Sequence, residues 1–231
     1  PAGDPEVNYI QKFTFATTGN ATDISNLTLS RDAPSGQSSI GNGYGYTSGG
    51  NATTDRIEKF PFSTDANATD IGNLTLARWG VAGQSSSTHG YTSGGRNPVV
   101  TNLDVDGIDK FSFATDGDAT DVGNLTQLKG SPAGQQSGAS GYASGGYLYP
   151  LYSDRIDKFP FSSGFNTATD VGDLTLARSD ACGQSSATHG YTSGNYPITS
   201  DIDKFPFSSD ADATDVGDLA VTRGIACGQS S

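Results

Sequence analysis

One phrase recurs along this chain almost verbatim: I-x-K-F-x-F, then A-T-D-[IV]-x-[ND]-L, a basic residue, G-Q-[SQ]-S, and G-Y-[TA]-S-G-[GN]. Its lysines stand at Lys12, Lys59, Lys110, Lys158 and Lys204, so successive steps are 47, 51, 48 and 46 residues. A fixed period of this length marks a structural array in which each unit exposes an apolar face that only its neighbour covers. No unit is therefore expected to fold alone, and because the repeat runs from end to end, residues 1–231 are read as one domain.

Each unit divides into four short segments separated by turn chemistry. Around the second unit these are Ala82 to Ser86 (G-Q-S-S), Gly90 to Gly95 (G-Y-T-S-G-G), Ile57 to Phe62 (I-x-K-F-x-F) and Ala68 to Leu74 (A-T-D-I-G-N-L). None carries the 3.6-residue periodicity of an amphipathic helix. The acids are nearly all aspartate, with Glu6 and Glu58 the only glutamates, which favours turns and caps over helix interiors. Four short strands per repeat describe one blade of a β-propeller, so the expected fold is all-β, built of four-stranded antiparallel blades. Gly, Ser and Thr in the first two segments suit crowding near an axis, and the 11 Phe and 10 Tyr supply the core. Pro61, Pro160 and Pro206 fall inside the third segment, where a missing donor implies a bulge or weak pairing. The chain opens on a third segment and ends on a first, which gives 19 strands where five complete blades need 20. Either one strand of the closing blade lies outside the sequence or the natural ring is larger; five is the leading number.

The order of a Gly-Gly strand end, a variable loop, an aromatic strand, a further strand and a basic residue resembles the kelch repeat. It is carried by Gly49-Gly50, Gly94-Gly95 and Gly145-Gly146, with Gly194-Asn195 in the fourth unit, and by Arg31, Arg78, Lys129, Arg178 and Arg223. The tryptophan of that repeat is missing from the fourth segment, and the one tryptophan is Trp79. The loops Ser63 to Asp70 and Ser208 to Asp215 are similar to the Asp box that closes a blade hairpin in sialidases, with Asn or Asp for its glycine. The phrases IDKFPF, ATDVGDL, GQSS and THGYTSGG also resemble repeats of structural proteins of marine bacteriophages. That resemblance implies a virion-associated protein, a tail fibre or surface decoration, and an extracellular or virion location.

Composition narrows the partners. A net charge of −12 matches a polyanion poorly, so nucleic acid is set aside, and no apolar run reaches the length of a membrane span. Methionine is absent, which points to a processed or partial product. Cys182 and Cys227 share a slot that holds Ser35, Ala82 and Ala133 elsewhere, which suggests a small buried side chain. His89 and His189 are copies of one repeat position, as expected of turn or packing residues rather than a general base. No nucleophile elbow, acid cluster or ligand set for a redox metal is present, so the chain is read as non-enzymatic. A sialidase- or oxidase-like enzyme is the minor alternative. The N-x-T triplets travel with the repeat and carry no meaning in a bacterial or viral setting.

The repeated lysines and the aspartates Asp23, Asp70, Asp121, Asp170 and Asp215 are expected to pair with each other or with the basic residue after the fourth segment. In the Asp-box-like loops, Asp65, Asn67, Asp116, Asp118, Asp210 and Asp212 are weak candidates for calcium, the one cofactor considered. What varies is the loop between the second and third segments: 6 residues from Asn51, 12 from Arg96, 9 from Tyr147 and 6 from Tyr196. It should emerge on the face where the next blade begins, which makes Arg96, Tyr147, Tyr149, Tyr152, Tyr196, Arg31, Arg78, Arg178 and Arg223 the candidate binding face. Exposed aromatics on variable loops over a rigid scaffold are a common way to build a binding surface. The expected function is attachment to a host glycan or cell-surface receptor. The alternative is packing against other virion proteins, or against copies of itself as a homo-oligomer or part of a larger assembly.

Overall fold

A computed structural model of the chain describes residues 7–14, 16–50, 54–97, 103–162, 166–194 and 199–222. Every regular element among them is a strand. β1 (Val7–Lys12) and β2 (Thr22–Arg31) form a two-stranded antiparallel sheet. The first four-stranded sheet contains β3 (Ser35–Ser39), β4 (Tyr44–Ser48), β5 (Arg56–Pro61) and β6 (Thr69–Asn73), paired in that order. The second contains β7 (Ala82–Ser85), β8 (His89–Ser93), β9 (Gly107–Ser112) and β10 (Thr120–Asn124). The third begins with β11 (Ala133–Gln136) and β12 (Ser140–Ser144), then inserts a small hairpin, β13 (Tyr147–Leu148) with β14 (Leu151–Tyr152). It resumes with β15 (Arg155–Pro160) and β16 (Thr169–Asp173). The fourth contains β17 (Cys182–Ser185), β18 (His189–Ser193), β19 (Asp201–Pro206) and β20 (Thr214–Asp218). All neighbours are antiparallel, so the architecture is all-β and propeller-like, with successive meander sheets packed face to face.

Each hydrophobic core lies between two sheets rather than within one. Tyr46, Ile57 and Leu74 of the first sheet close on Phe111, Phe113 and Ala119 of the second. Tyr91, Ile108 and Leu125 of the second close on Ala143, Phe159 and Ala168 of the third. The third and fourth repeat the arrangement with Tyr142, Ile156 and Leu174 against Phe205 and Ala213. The tyrosine of G-Y-[TA]-S stacks on the second phenylalanine of the next unit's K-F-x-F: Tyr46 on Phe113 at 4.7 Å, Tyr91 on Phe161 at 4.7 Å, Tyr142 on Phe207 at 4.8 Å. The glycine before it faces the first phenylalanine of its own sheet, as in Gly90 opposite Phe111, where a Cβ would overlap the ring. The alanine of A-T-D plugs the junction and donates its N–H backwards, Ala119 to Asn73 and Ala213 to Asp173.

Near the axis the chain approaches itself more closely. The innermost strands β3, β7, β11 and β17 pack in sequence, and a Cβ on Gly83, Gly134 or Gly183 would strike the backbone of Gly36, Gly83 or Gly134, respectively. Glutamine of G-Q-[SQ]-S ties neighbouring sheets together. Gln37 Nε2 donates to the carbonyl of Tyr91, Gln84 to Tyr142 and Gln135 to Tyr191, at 2.9, 2.9 and 3.0 Å. Buried hydroxyls join the same network, Ser48 with Thr92 and Ser144 with Thr192. Satisfied polar networks of this kind fix one arrangement of the sheets.

The prolines behave differently from the sequence expectation. Pro61, Pro160 and Pro206 are the last residues of β5, β15 and β19, beyond the final pair with the fourth strand, Lys59 with Thr69 in the first sheet. No donor is lost from that ladder. The irregularity sits in the fourth strand instead, where the register slips at D-[IV]-G and the aspartate Oδ1 accepts from the glycine N–H, Asp121 to Gly123 at 2.9 Å.

Candidate functional site

The basic residue that opens each four-stranded sheet is spent inside the scaffold. Arg31 lies 3.0 Å from Glu58, Arg78 3.2 Å from Asp109, Lys129 3.3 Å from Asp157 and Arg178 2.9 Å from Asp203. Both partners of each pair are buried. A threonine three residues before the basic group completes the clamp: Thr75 donates its N–H and hydroxyl to Asp109 at 2.8 and 2.7 Å, and Thr175 does the same for Asp203. The cations also donate to strand carbonyls, Arg31 to Gly49 and Lys129 to Arg155. Burial pulls Arg31, Arg78 and Lys129 below their ordinary basicity, and the facing carboxylates oppose the pull. Removing one member of a buried pair leaves the other charge uncompensated and costs about 3–5 kcal/mol.

Arg31, Arg78 and Arg178 therefore do not belong to the binding face on which the sequence placed them. Their guanidinium groups turn inward toward an acid in the third strand of the sheet each one opens. The signal for this was the variable position of I-x-K-F, which is Glu58, Asp109, Asp157 or Asp203 in these four sheets. Asp70 and Asp170 pair with Arg56 and Arg155 at 3.3 and 3.5 Å on the surface, not with the repeated lysines. Three of the five lysines reach forward to the next unit's hairpin: Lys12 to Asp65, Lys59 to Asp116 and Lys158 to Asp210.

Those hairpin residues are the calcium candidates, and a protein donor already holds one side-chain oxygen of each. Besides the three lysine contacts, Asn67 Oδ1 accepts from Asn26 N–H, Asp118 Oδ1 from Asn73 N–H and Asp212 Oδ1 from Asp173 N–H, at 3.0, 3.0 and 3.1 Å. Each loop thus latches onto the preceding sheet. No group of three or more His, Cys, Asp or Glu side chains converges among the described residues. His89 and His189 cap the turn between the first two strands, each with Nδ1 2.8 Å from the preceding threonine hydroxyl. Cys182 is buried in β17; Cys227 lies outside the described residues, as do Tyr196 and Arg223.

The remaining candidates do converge. The connection leaving the first sheet and the long loop of the second are joined by reciprocal backbone bonds between Trp79 and Arg96, and Gly130 pairs in the same way with Tyr147. The variable loops and the inter-sheet connections accordingly share a face. There the Arg96 guanidinium lies between two rings, 5.0 Å from the centroid of Trp79 and 5.2 Å from that of Tyr147. Tyr147 in turn meets Tyr152 at 5.4 Å and Tyr149 at 6.2 Å. Asp104, buried beneath, pairs with Arg96 Nε at 3.1 Å and accepts from the Tyr149 N–H. Burial pushes the Asp104 carboxyl up, and those two partners hold it back. Tyr149 and Leu151 at the hairpin tip are 71% and 67% exposed.

The result is a ridge of aromatic faces around one fixed cation, anchored by a buried carboxylate and carried on two adjacent sheets. Sequence reading found Arg96, Tyr147, Tyr149 and Tyr152. It missed Trp79 and Asp104, because neither sits in a repeated phrase that would place it beside the hairpin. A concavity of about 820 Å³ opens between the innermost strands, and no Asp, Glu, Lys, Arg or His is among its lining residues.

No family model matches the sequence, and no curated protein matches it. Among solved structures the fold is similar to that described as the structure of YjhT, with a TM-score of 0.73 and 12% sequence identity, over 90% of this chain and 77% of that one. No helix among the described residues is long and apolar enough to cross a membrane.

Proposed function

We propose that the chain is a non-enzymatic binding module, a five-bladed propeller that attaches through the Arg96–Tyr147–Tyr149–Tyr152 ridge to a glycan on a host surface. In this reading it works outside the cell or on a virus particle, as a tail fibre or surface decoration. The observation that carries the reading is the contrast between the two classes of charge and ring. The basic residue that opens each four-stranded sheet is buried against an acid of that sheet, whereas the non-repeated hairpin presents Tyr149 and Leu151 to solvent. Flat aromatic faces beside a guanidinium suit the C–H faces and hydroxyls of a sugar ring. Holding Arg96 between two rings and a carboxylate reduces the entropy lost on binding.

A packing role, in which the same ridge docks on a virion protein or another copy, draws on the exposure of Leu151, an aliphatic group that a polar glycan would leave uncovered. The test is retention of the purified protein on host surface polysaccharide. The glycan reading expects wild type to be retarded and a Tyr149→Ser/Leu151→Ser variant to run free, with both monomeric. Retention unchanged by the double substitution contradicts it, and ridge-dependent self-association favours packing.

A further inference from the structure

We infer that the aromatic ridge selects a neutral sugar, one that presents two adjacent hydroxyls to the terminal edge of Arg96, over an acidic one. The inference rests on the glycan-binding reading above and adds to it the charge of the ligand and the group that recognises it. Most of the Arg96 guanidinium is already taken. Trp79 and Tyr147 stand over it at 5.0 and 5.2 Å, and its buried Nε lies 3.1 Å from Asp104. Nη1 and Nη2 are not buried, and neither donates to a protein acceptor among the described residues. What stays open is one edge with two coplanar donors, a fork that fits a pair of neighbouring oxygens.

The chain makes room for this clamp. The residue after each basic group is Asp32, Trp79, Gly130, Ser179 or Gly224. At Trp79 the slot supplies a platform, and at Gly130 it supplies space. A Cβ on Gly130 would lie 2.5 Å from Asp104 Oδ1 and 2.9 and 3.0 Å from Arg96 Cγ and Cδ, although the backbone there is not left-handed. Space and not conformation therefore demands the glycine, and the Arg96–Asp104 pair fills that space.

Charge decides which pair of oxygens the fork takes. Asp104 offsets Arg96, and the basic residues beside Trp79 and Gly130, Arg78 and Lys129, are buried against Asp109 and Asp157. A carboxylate or sulfate would meet a site whose positive charge is already matched, on a chain of net charge −12, and would shed its hydration for little Coulombic return. Two adjacent hydroxyls accept the same pair of N–H bonds without that cost. Tyr147 contacts both Arg96 and the exposed Tyr149, so a short oligosaccharide spans the donor fork and an open aromatic face.

The experiment passes the full chain over immobilised galactomannan, a neutral polymer whose sugars carry adjacent cis hydroxyls, and over polygalacturonate, which carries a carboxylate on each ring. Retardation is expected on galactomannan, equal at about 50 and about 500 mM salt because no ion pair forms. It should disappear once periodate oxidation and borohydride reduction have cleaved the adjacent diols and left the polymer uncharged. Polygalacturonate should not retard the chain. Arg96→Lys keeps the charge and loses the fork, and should weaken binding at least about tenfold with an unchanged circular dichroism spectrum. Absence of binding to galactomannan overturns the inference, as does binding that salt elutes, that survives the oxidation or that Arg96→Lys leaves intact. Retention on polygalacturonate alone overturns the neutral class while attachment to a glycan stands; that broader reading fails separately, on host surface polysaccharide.

Discussion

Gly36 and Gly134 occupy the same slot of the repeat, yet they have different neighbours. A Cβ on Gly134 would strike the Gly83 carbonyl, whereas one on Gly36 meets nothing within 4 Å among its described surroundings. Overpacking against backbone costs about 1–3 kcal/mol, since neither sheet can yield without disturbing the next. Gly134→Ala should therefore lower the urea midpoint clearly and Gly36→Ala hardly at all; equal effects would mean that the innermost strands do not set the spacing. Residues of this kind were half legible in the sequence. Recurrence of Gly-Gln-Ser marked a crowded strand, but which glycine touches which carbonyl depends on how one sheet is displaced from the next. The same limit explains Arg31, Arg78 and Arg178. Their recurrence was plain, while their inward turn was hidden in the one variable letter of I-x-K-F.

At the scale of elements, the second strand is the hinge of the design, because it buries a glycine against its own sheet and a tyrosine against the next. Burial raises the pKa of Tyr46, Tyr91 and Tyr142 above the ordinary tyrosine value. Unfolded tyrosines ionise near pH 10, so above that pH the unfolded chain releases protons that the folded one retains. Unfolding is then driven forward by rising pH: this contribution is intact below about pH 10 and is lost above it. The urea midpoint should fall between pH 8 and pH 10.5, and the fall should be smaller in Tyr91→Phe; an identical fall in the two proteins would contradict the assignment. Strand positions themselves were legible, because Gly, Pro and Asx punctuate the repeat at every turn. The bulge was misplaced to the prolines, since an absent donor on that side matters only while the fourth strand runs alongside, and Pro61, though paired with Tyr44 of the second strand, lies past the last fourth-strand pair.

For the whole molecule, the physical consequence is mutual dependence. Every core described here is divided between two sheets, and no sheet owns one. The period of about 47 residues already implies this in the sequence, because an apolar face repeated at that spacing has only its neighbour to cover it. The aromatic ridge was less legible: its tyrosines stood out as departures from the repeat, but the partners Trp79 and Asp104 come from chain segments that only the packing of sheets brings together. Parallel urea titrations read by far-ultraviolet circular dichroism and by the fluorescence of Trp79, the single tryptophan, test the interdependence directly. The two curves should superimpose as one cooperative transition, with local and global structure lost together. Loss of the Trp79 signal at a lower urea concentration, with the strand signal still intact, would show that sheets unfold separately and would contradict the account.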